Sequence, residues 1–220
     1  LLLNKINYEK GTILLEGKEY PLKDVSFPTI DPQNPFSLTE DEEDLICKLR
    51  HSFVNSEKLR KHIRCLYAHG GIYLVRNSNL LFHASIPLNA DGTFKEVEIR
   101  GKKYKGKSLL DKVDQLIRTA YFDDEDSIDR NYALDYTWYL WCGEDSPSFD
   151  KDKMTTFERY FIEDKSLSKE KKGYYYELRN EESVCDMILN EFGINDKHSH
   201  INNGHIPVKT IKGEKPVKAG

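Results

Sequence analysis

The chain has 220 residues, 32% of them charged, and a formal net charge of only −4. That balance argues against a dedicated nucleic-acid binder, which carries a basic excess, and no apolar run approaches the roughly 18–20 residues that span a bilayer. Cys47, Cys65, Cys142 and Cys185 are scattered, with no Cys-x-x-Cys pair. This disfavours a zinc ribbon and fits a reducing cytoplasm better than a disulfide framework.

No charged start followed by an apolar core and a small-residue cleavage site is visible. The chain opens on Leu1-Leu2-Leu3 and closes on "GEKPVKAG", which reads as a turn leading into another strand. The expectation is a central fragment of a longer protein. Along the chain, "GTILLEGKEYP" (11–21) predicts a hairpin turning at Gly17, followed by the proline-punctuated link "SFPTIDPQNPF". Thr39-x-x-Glu42 is a capping-box pattern, and Leu45, Ile46, Leu49, Phe53 and Val54 recur behind it at helical spacing. A second helix from Asn55 or Ser56 carries Leu59, Ile63, Leu66 and Tyr67 and ends at Gly70-Gly71.

"IYLV" (72–75) and "NLLFH" (79–83) flank "RNS" as a hairpin of two buried strands, and "KEVEIRGKKYKGK" (95–107) predicts a more polar hairpin around Gly101. Ser108 is placed as the cap of a helix with Leu109, Leu110, Val113, Leu116, Ile117 and Ala120. "NYALDYTWYLWCG" reads as a buried, aromatic-rich helix, and residues 146–180 show no clear period. A last helix starts at Asn180, with Gly193 as the residue that ends it and Ile194 as the apolar contact beyond. A short strand at about 200–203 leads to His205. The sum is an α/β or α+β chain.

Two histidines share a context. His83 in "NLLFHASIPL" and His205 in "HINNGHIPVK" each end a short strand and are followed closely by Ile-Pro. A strand holds an imidazole rigidly and the loop beyond it opens to the sheet edge, which suits ligation of Mn²⁺, Fe²⁺ or Zn²⁺. Gly204 permits a close backbone approach. The competing reading is an ordinary hydrogen-bonded histidine in each place, and a hydrolytic two-metal site needs carboxylates as well.

Three long segments, "NSNLLFHASIPLNADGTFKEV", "YTWYLWCGEDSPSFDKDKMTTFERYFIEDK" and "HSHINNGHIPVKTIKGEKPVKAG", resemble the class III fructose-1,6-bisphosphatases of Firmicutes and related bacteria. "GKEYPL", "FPTIDPQNPFSLT" and "HSFVNSEKLRKHIRCLY" extend the likeness over essentially the whole chain. Those enzymes are longer and belong to the calcineurin-like metallophosphoesterases. The resemblance implies a partial metallophosphatase β-sandwich with flanking helices and helical insertions. It assigns 72–90 and 198–220 to the core, 1–71 to a helical accessory segment and 91–197 to a mostly helical insertion.

It also implies that His83 and His205 ligate one metal of a two-metal site, expected to be Mn²⁺. The remaining ligands and the general acid would come from segments ahead of this chain, so no catalytic residue is assigned here and the fragment alone is expected to be inactive. Ala84 stands where such enzymes commonly have Gly. The implied activity is hydrolysis of fructose 1,6-bisphosphate to fructose 6-phosphate and phosphate in cytoplasmic gluconeogenesis, by an enzyme that binds neither nucleic acid nor membrane and that can assemble as a homo-oligomer. The alternatives are a metallophosphoesterase of other substrate and a non-catalytic interaction module.

Other candidates have blander readings. His69-Gly70-Gly71 reads as a helix end, His198-x-His200 as a polar loop, and His51 and His62 as helix positions. Lys209, Lys212, Lys215 and Lys218 either draw a doubly phosphorylated sugar or form the edge of a solvated hairpin. Asp123 to Asp126 reads as an acidic surface loop, and Trp138, Tyr139 and Trp141 as a buried aromatic face.

Overall fold

The computed structural model describes residues 2–124 and 127–217. The fold is mixed α/β. The first half runs β1 (Ile6–Asn7), β2 (Thr12–Leu15), β3 (Lys18–Pro21), α1 (Glu40–Val54), α2 (Glu57–His69), β4 (Tyr73–Arg76) and β5 (Asn79–Phe82). It continues through β6 (Val97–Ile99), β7 (Lys102–Tyr104), α3 (Gly106–Phe122), α4 (Ile128–Cys142), α5 (Thr156–Phe161), α6 (Tyr175–Leu178), α7 (Glu182–Glu191) and β8 (His200–Asn203). The chain divides into two compact units, one of residues up to Cys65 with Thr155–Lys169, the other of Leu66–Met154 with the residues from Glu170 onward.

In the first unit, β1-β2-β3 form an antiparallel sheet. Glu16 and Gly17 both take positive φ in the two-residue loop between β2 and β3, the turn that matches strand twist. Ile6, Ile13, Leu15 and Leu22 are buried with Ile162, which follows α5. The Thr39 capping box is formed in full: Thr39 Oγ1 accepts the Glu42 N–H, and a Glu42 carboxylate oxygen accepts the Thr39 N–H at 2.8 Å. The apolar stripe of α1 departs from expectation, since Leu45, Ile46, Leu49, Phe53 and Val54 are all exposed. Periodicity defines a face, but burial needs a partner, and none of the described residues covers this one.

The second unit holds the three-stranded sheet β4-β5-β8. The β4–β5 hairpin turns through Asn77 and Ser78, both at positive φ, and its register pairs Tyr73 with Phe82 and Arg76 with Asn79. Only β5 is buried as predicted: Leu80 and Phe82 face the core, whereas Leu74 and Val75 of β4 are exposed. α7 and α6 cover the buried face of β5 with Val184, Ile188, Leu189, Tyr175 and Tyr176. A second cluster joins α3 and α4 to the β6–β7 hairpin through Ile99, Leu109, Val113, Leu116, Ala133 and Leu140.

Several boundaries shift. α3 starts two residues before Ser108, so Ser108 sits in the first turn, where its hydroxyl accepts the Lys105 N–H at 3.1 Å rather than capping the helix. α7 begins at Glu182 rather than Asn180. Its end is as predicted: Gly193 has φ +74, and the Ile194 N–H reaches back to the Leu189 carbonyl at 2.9 Å. α4 forms, but Trp138 and Trp141 are exposed and only Ala133, Tyr136 and Leu140 are buried. A helix this rich in aromatics has more large side chains than one buried face can hold. The lysines after His205 lie not on a hairpin but around a 3₁₀ turn, Thr210–Lys212, closed by Gly213. Lys218, Glu125 and Asp126 are outside the described residues. No helix among those described is long and apolar enough to cross a membrane.

Candidate metal centre

β5 and β8 run parallel, with Asn79 opposite His200 and Phe82 opposite Asn203. Because their registers match, both strands stop at the same level, and the residues that follow leave the sheet together. Side chains alternate across a strand, so burial of Leu80 and Phe82 turns His83 to the exposed face. The backbone then ties the two exits: the N–H groups of Gly204 and His205 both donate to the His83 carbonyl at 3.0 Å. As a result His205 Nδ1 lies 3.0 Å from His83 Nε2, across 122 residues of sequence. The rings meet edge to face, with centroids 4.9 Å apart.

The turn behind the histidines is held in place. Ala84 is fully buried, and its carbonyl accepts the Asn203 side-chain amide at 2.9 Å and the Tyr176 hydroxyl at 3.4 Å. Ala84 is not among the residues at positive φ, so an alanine fits where a glycine was expected. Burial, together with the neighbouring His83, Lys151 and Lys172, holds the His205 imidazole below the usual histidine range. A neutral ring with a lone pair is the form that binds a metal.

The donor set fits a cation. Two nitrogens about 2.0–2.1 Å from one ion stand roughly 2.9–3.4 Å apart for ligand angles between a right angle and tetrahedral, and the observed separation is 3.0 Å. An N–H···N bond between the two rings has the same length, so the chemistry of the chain must decide between them. No group of three or more His, Cys, Asp or Glu able to hold a metal exists among the described residues.

The model of the Firmicute fructose-1,6-bisphosphatase family matches residues 1–220. The chain belongs to that family. It is 66% identical over 219 residues to a class 3 fructose-1,6-bisphosphatase of Bacteroides fragilis, which it covers to 33% while itself being covered completely. The corresponding enzyme of Bacteroides thetaiotaomicron is 64% identical over 218 residues, with 99% of this chain and 33% of the relative aligned. That of Clostridium novyi is 58% identical over 219 residues, with 100% and 33% aligned. The chain thus spans about a third of the length of these curated relatives. No solved structure matches it.

For this member of the fructose-1,6-bisphosphatase family, three other histidines of the same unit have places of their own. His69 ends α2, as expected. His198 and His200 are exposed. Asp196-Lys197-His198 has an Asp-x-His spacing, but it builds the turn before β8. The Asp196 carboxylate accepts the His198 N–H at 2.9 Å and the Ser78 hydroxyl at 3.1 Å, and these bonds hold its pKa low.

Sequence reasoning passed over Asp150. It is 3% exposed, lies beside the buried Ser85 two residues after His83, and its Oδ2 has no partner among the described residues. Gly173 makes room for it, since a Cβ there would collide with the carboxylate. Burial pushes the Asp150 carboxyl up to about 6, against the Ser85 hydroxyl and Lys172. Its signal lay only in "DSPSFDK", which has no period to read. The folded state binds this proton more tightly than the unfolded chain, so its contribution is present below the unfolded pKa and lost as pH rises through about 6. Asp150→Asn should therefore raise the unfolding midpoint at pH 8 and leave it nearly unchanged at pH 4. Equal midpoints at both pH values would mean that the carboxylate is not strained by burial.

Proposed function

We propose that this chain is part of a metal-dependent fructose-1,6-bisphosphatase, and that His83 and His205 hold one divalent cation of its centre. The observation that carries the reading is the 3.0 Å approach of His83 Nε2 and His205 Nδ1 at the matched ends of β5 and β8, in a chain of this family. A bound divalent cation polarises a phosphoryl oxygen and provides a nucleophile at neutral pH; Mn²⁺ is the cation we favour.

What the chain itself contributes is placement. β5 and β8 fix the two imidazoles, and the His83 carbonyl locks the Gly204-His205 backbone against them. Asn203 and Tyr176 hold the Ala84 carbonyl and keep the turn from relaxing. Burial holds the His205 pKa below the usual histidine range, which favours the neutral ring that a metal needs. The sheet β4-β5-β8 is the piece of the metallophosphatase core present here, and the rest of the ligand set is supplied by the longer protein. A cytoplasmic enzyme of gluconeogenesis is the setting that follows.

The test uses the full-length protein and a panel of fructose 1,6-bisphosphate, p-nitrophenyl phosphate, a nucleotide and a phosphopeptide. Phosphate release should be greatest from the sugar bisphosphate, stop on chelation and return with Mn²⁺. Preference for another ester would move the assignment to a different phosphoesterase. No release from any member would favour an interaction module.

A further inference from the structure

Arg179 closes α6 and is half-buried. The Tyr176 ring takes one face of its guanidinium, 4.9 Å away. Its Nε is shut off from water and has no hydrogen-bond partner. No carboxylate among the described residues forms an ion pair with it. A guanidinium carries five N–H donors and no acceptor, so only groups that bring lone pairs satisfy it. A buried charged donor left unpaired is costly, and such a group calls for an ion or water that the chain does not itself provide.

The surroundings of Arg179 supply more donors. It lines a cavity of about 230 Å³ that is also lined by Ser199 and by every residue of β8. β8 is the edge strand of β4-β5-β8, and an edge strand presents backbone N–H groups with no neighbouring strand to receive them. The His200 ring and the Asn202 amide add side-chain donors. The Asn203 amide is already engaged, donating to the Ala84 carbonyl at 2.9 Å. Glu214 is the one acid on the lining among the described residues, and its carboxylate accepts the Lys209 N–H at 2.9 Å.

An arginine without a carboxylate, backed by donors from a strand edge, is the complement of an anion. The planar fork of a guanidinium meets two oxygens at once, which is why arginine serves phosphate and carboxylate recognition. Donors from Arg179 and from β8 together ask for more oxygens than the two of a carboxylate. We propose that this cavity binds a small oxyanion of the phosphate class, with Arg179 as its charged anchor. Its volume lies below the roughly 300–1,000 Å³ of sites that enclose a drug-sized ligand. The occupant is therefore free phosphate, or the phosphoryl end of an ester whose remainder stays outside. Neither His83 nor His205 lines the cavity, so the inference stands without the phosphatase reading.

The test is a calorimetric titration of inorganic phosphate into the full-length protein held in excess chelator, so that no cation centre contributes. The wild type should bind. Arg179→Gln should bind about tenfold more weakly or worse, the scale of a lost charged hydrogen bond. Arg179→Lys should fall between them, because it keeps a point charge and loses the fork; it also reads the site should Arg179→Gln fail to fold. Phosphate should raise the thermal unfolding midpoint of the wild type and leave that of Arg179→Gln unmoved, as a ligand stabilises only the state that binds it. The same series with glycerol 3-phosphate separates the two sources: Arg179-dependent binding of both anions identifies a phosphoryl end, and of inorganic phosphate alone an enclosed free ion.

A wild type that binds neither anion in chelator, or equal affinities in the wild type and the Arg179 variants, would overturn the site. Binding abolished in His83→Ala and retained in Arg179→Gln would place the anion at the histidine pair and overturn it equally. Hydrolysis of fructose 1,6-bisphosphate is measured separately, so failure of the phosphatase reading and failure of this site are told apart.

Discussion

His83→Ala and His205→Ala in the full-length protein should each lower kcat/KM for fructose 1,6-bisphosphate by more than about 100-fold, because loss even of groups that only support a metal ligand costs 10–100-fold. The two rings are interdependent: their nitrogens stand 3.0 Å apart and the His205 backbone is bonded to the His83 carbonyl. Both singles should therefore lose bound cation, measured as metal per protein after gel filtration, and the double variant should be little worse than either single. The exposed position of His83 keeps its substitution from opening a hole in the core. Retained activity and metal content in either variant would return that histidine to a hydrogen-bonding role.

Leu80→Ala should cost about 2–5 kcal/mol of stability, the usual range for removing a buried leucine side chain, read as a shift of the urea midpoint. Leu80 is fully buried on β5, paired with Val75 on one side and Ile201 on the other, beneath the cover of α7. Leu81→Ala is the matched control. It removes a side chain of the same size from the opposite, 37% exposed face, and it should cost about 1 kcal/mol or less because much of that surface already meets water. A loss for Leu81→Ala as large as that for Leu80→Ala would mean that both faces of β5 are covered.

Local chemistry was legible in the sequence where a few neighbouring residues determine it. The Thr39–Glu42 box, the Glu16-Gly17 turn and the Gly193 helix end need only adjacent side chains and a permitted φ, and all three form. The strand ends at His83 and His205 were readable for the same reason. Their pairing was not: a run of four residues carries no label for a partner strand more than 100 positions away, so the parallel register of β5 and β8 emerges only from packing. Burial was the weakest reading. The α1 stripe and the tryptophans of α4 have the composition of a core and are exposed. Asp150 was passed over because "DSPSFDK" shows neither period of 2 nor of 3.6, and the space that holds its carboxylate is left by Gly173, 23 positions away.

The parallel pairing of β5 with β8 also sets an order of events in folding. A contact between His83 and His205 closes a loop of 122 residues, and such non-local contacts are rewarded only after the entropy of closing the loop has been met. The β4–β5 hairpin and helices α3 and α7 need only local chain and form on much shorter timescales. The His83–His205 contact is accordingly among the last features to assemble. A chain still emerging from the ribosome therefore presents His83 on its hairpin without its partner, and the two imidazoles meet only when the sheet on which they sit is complete.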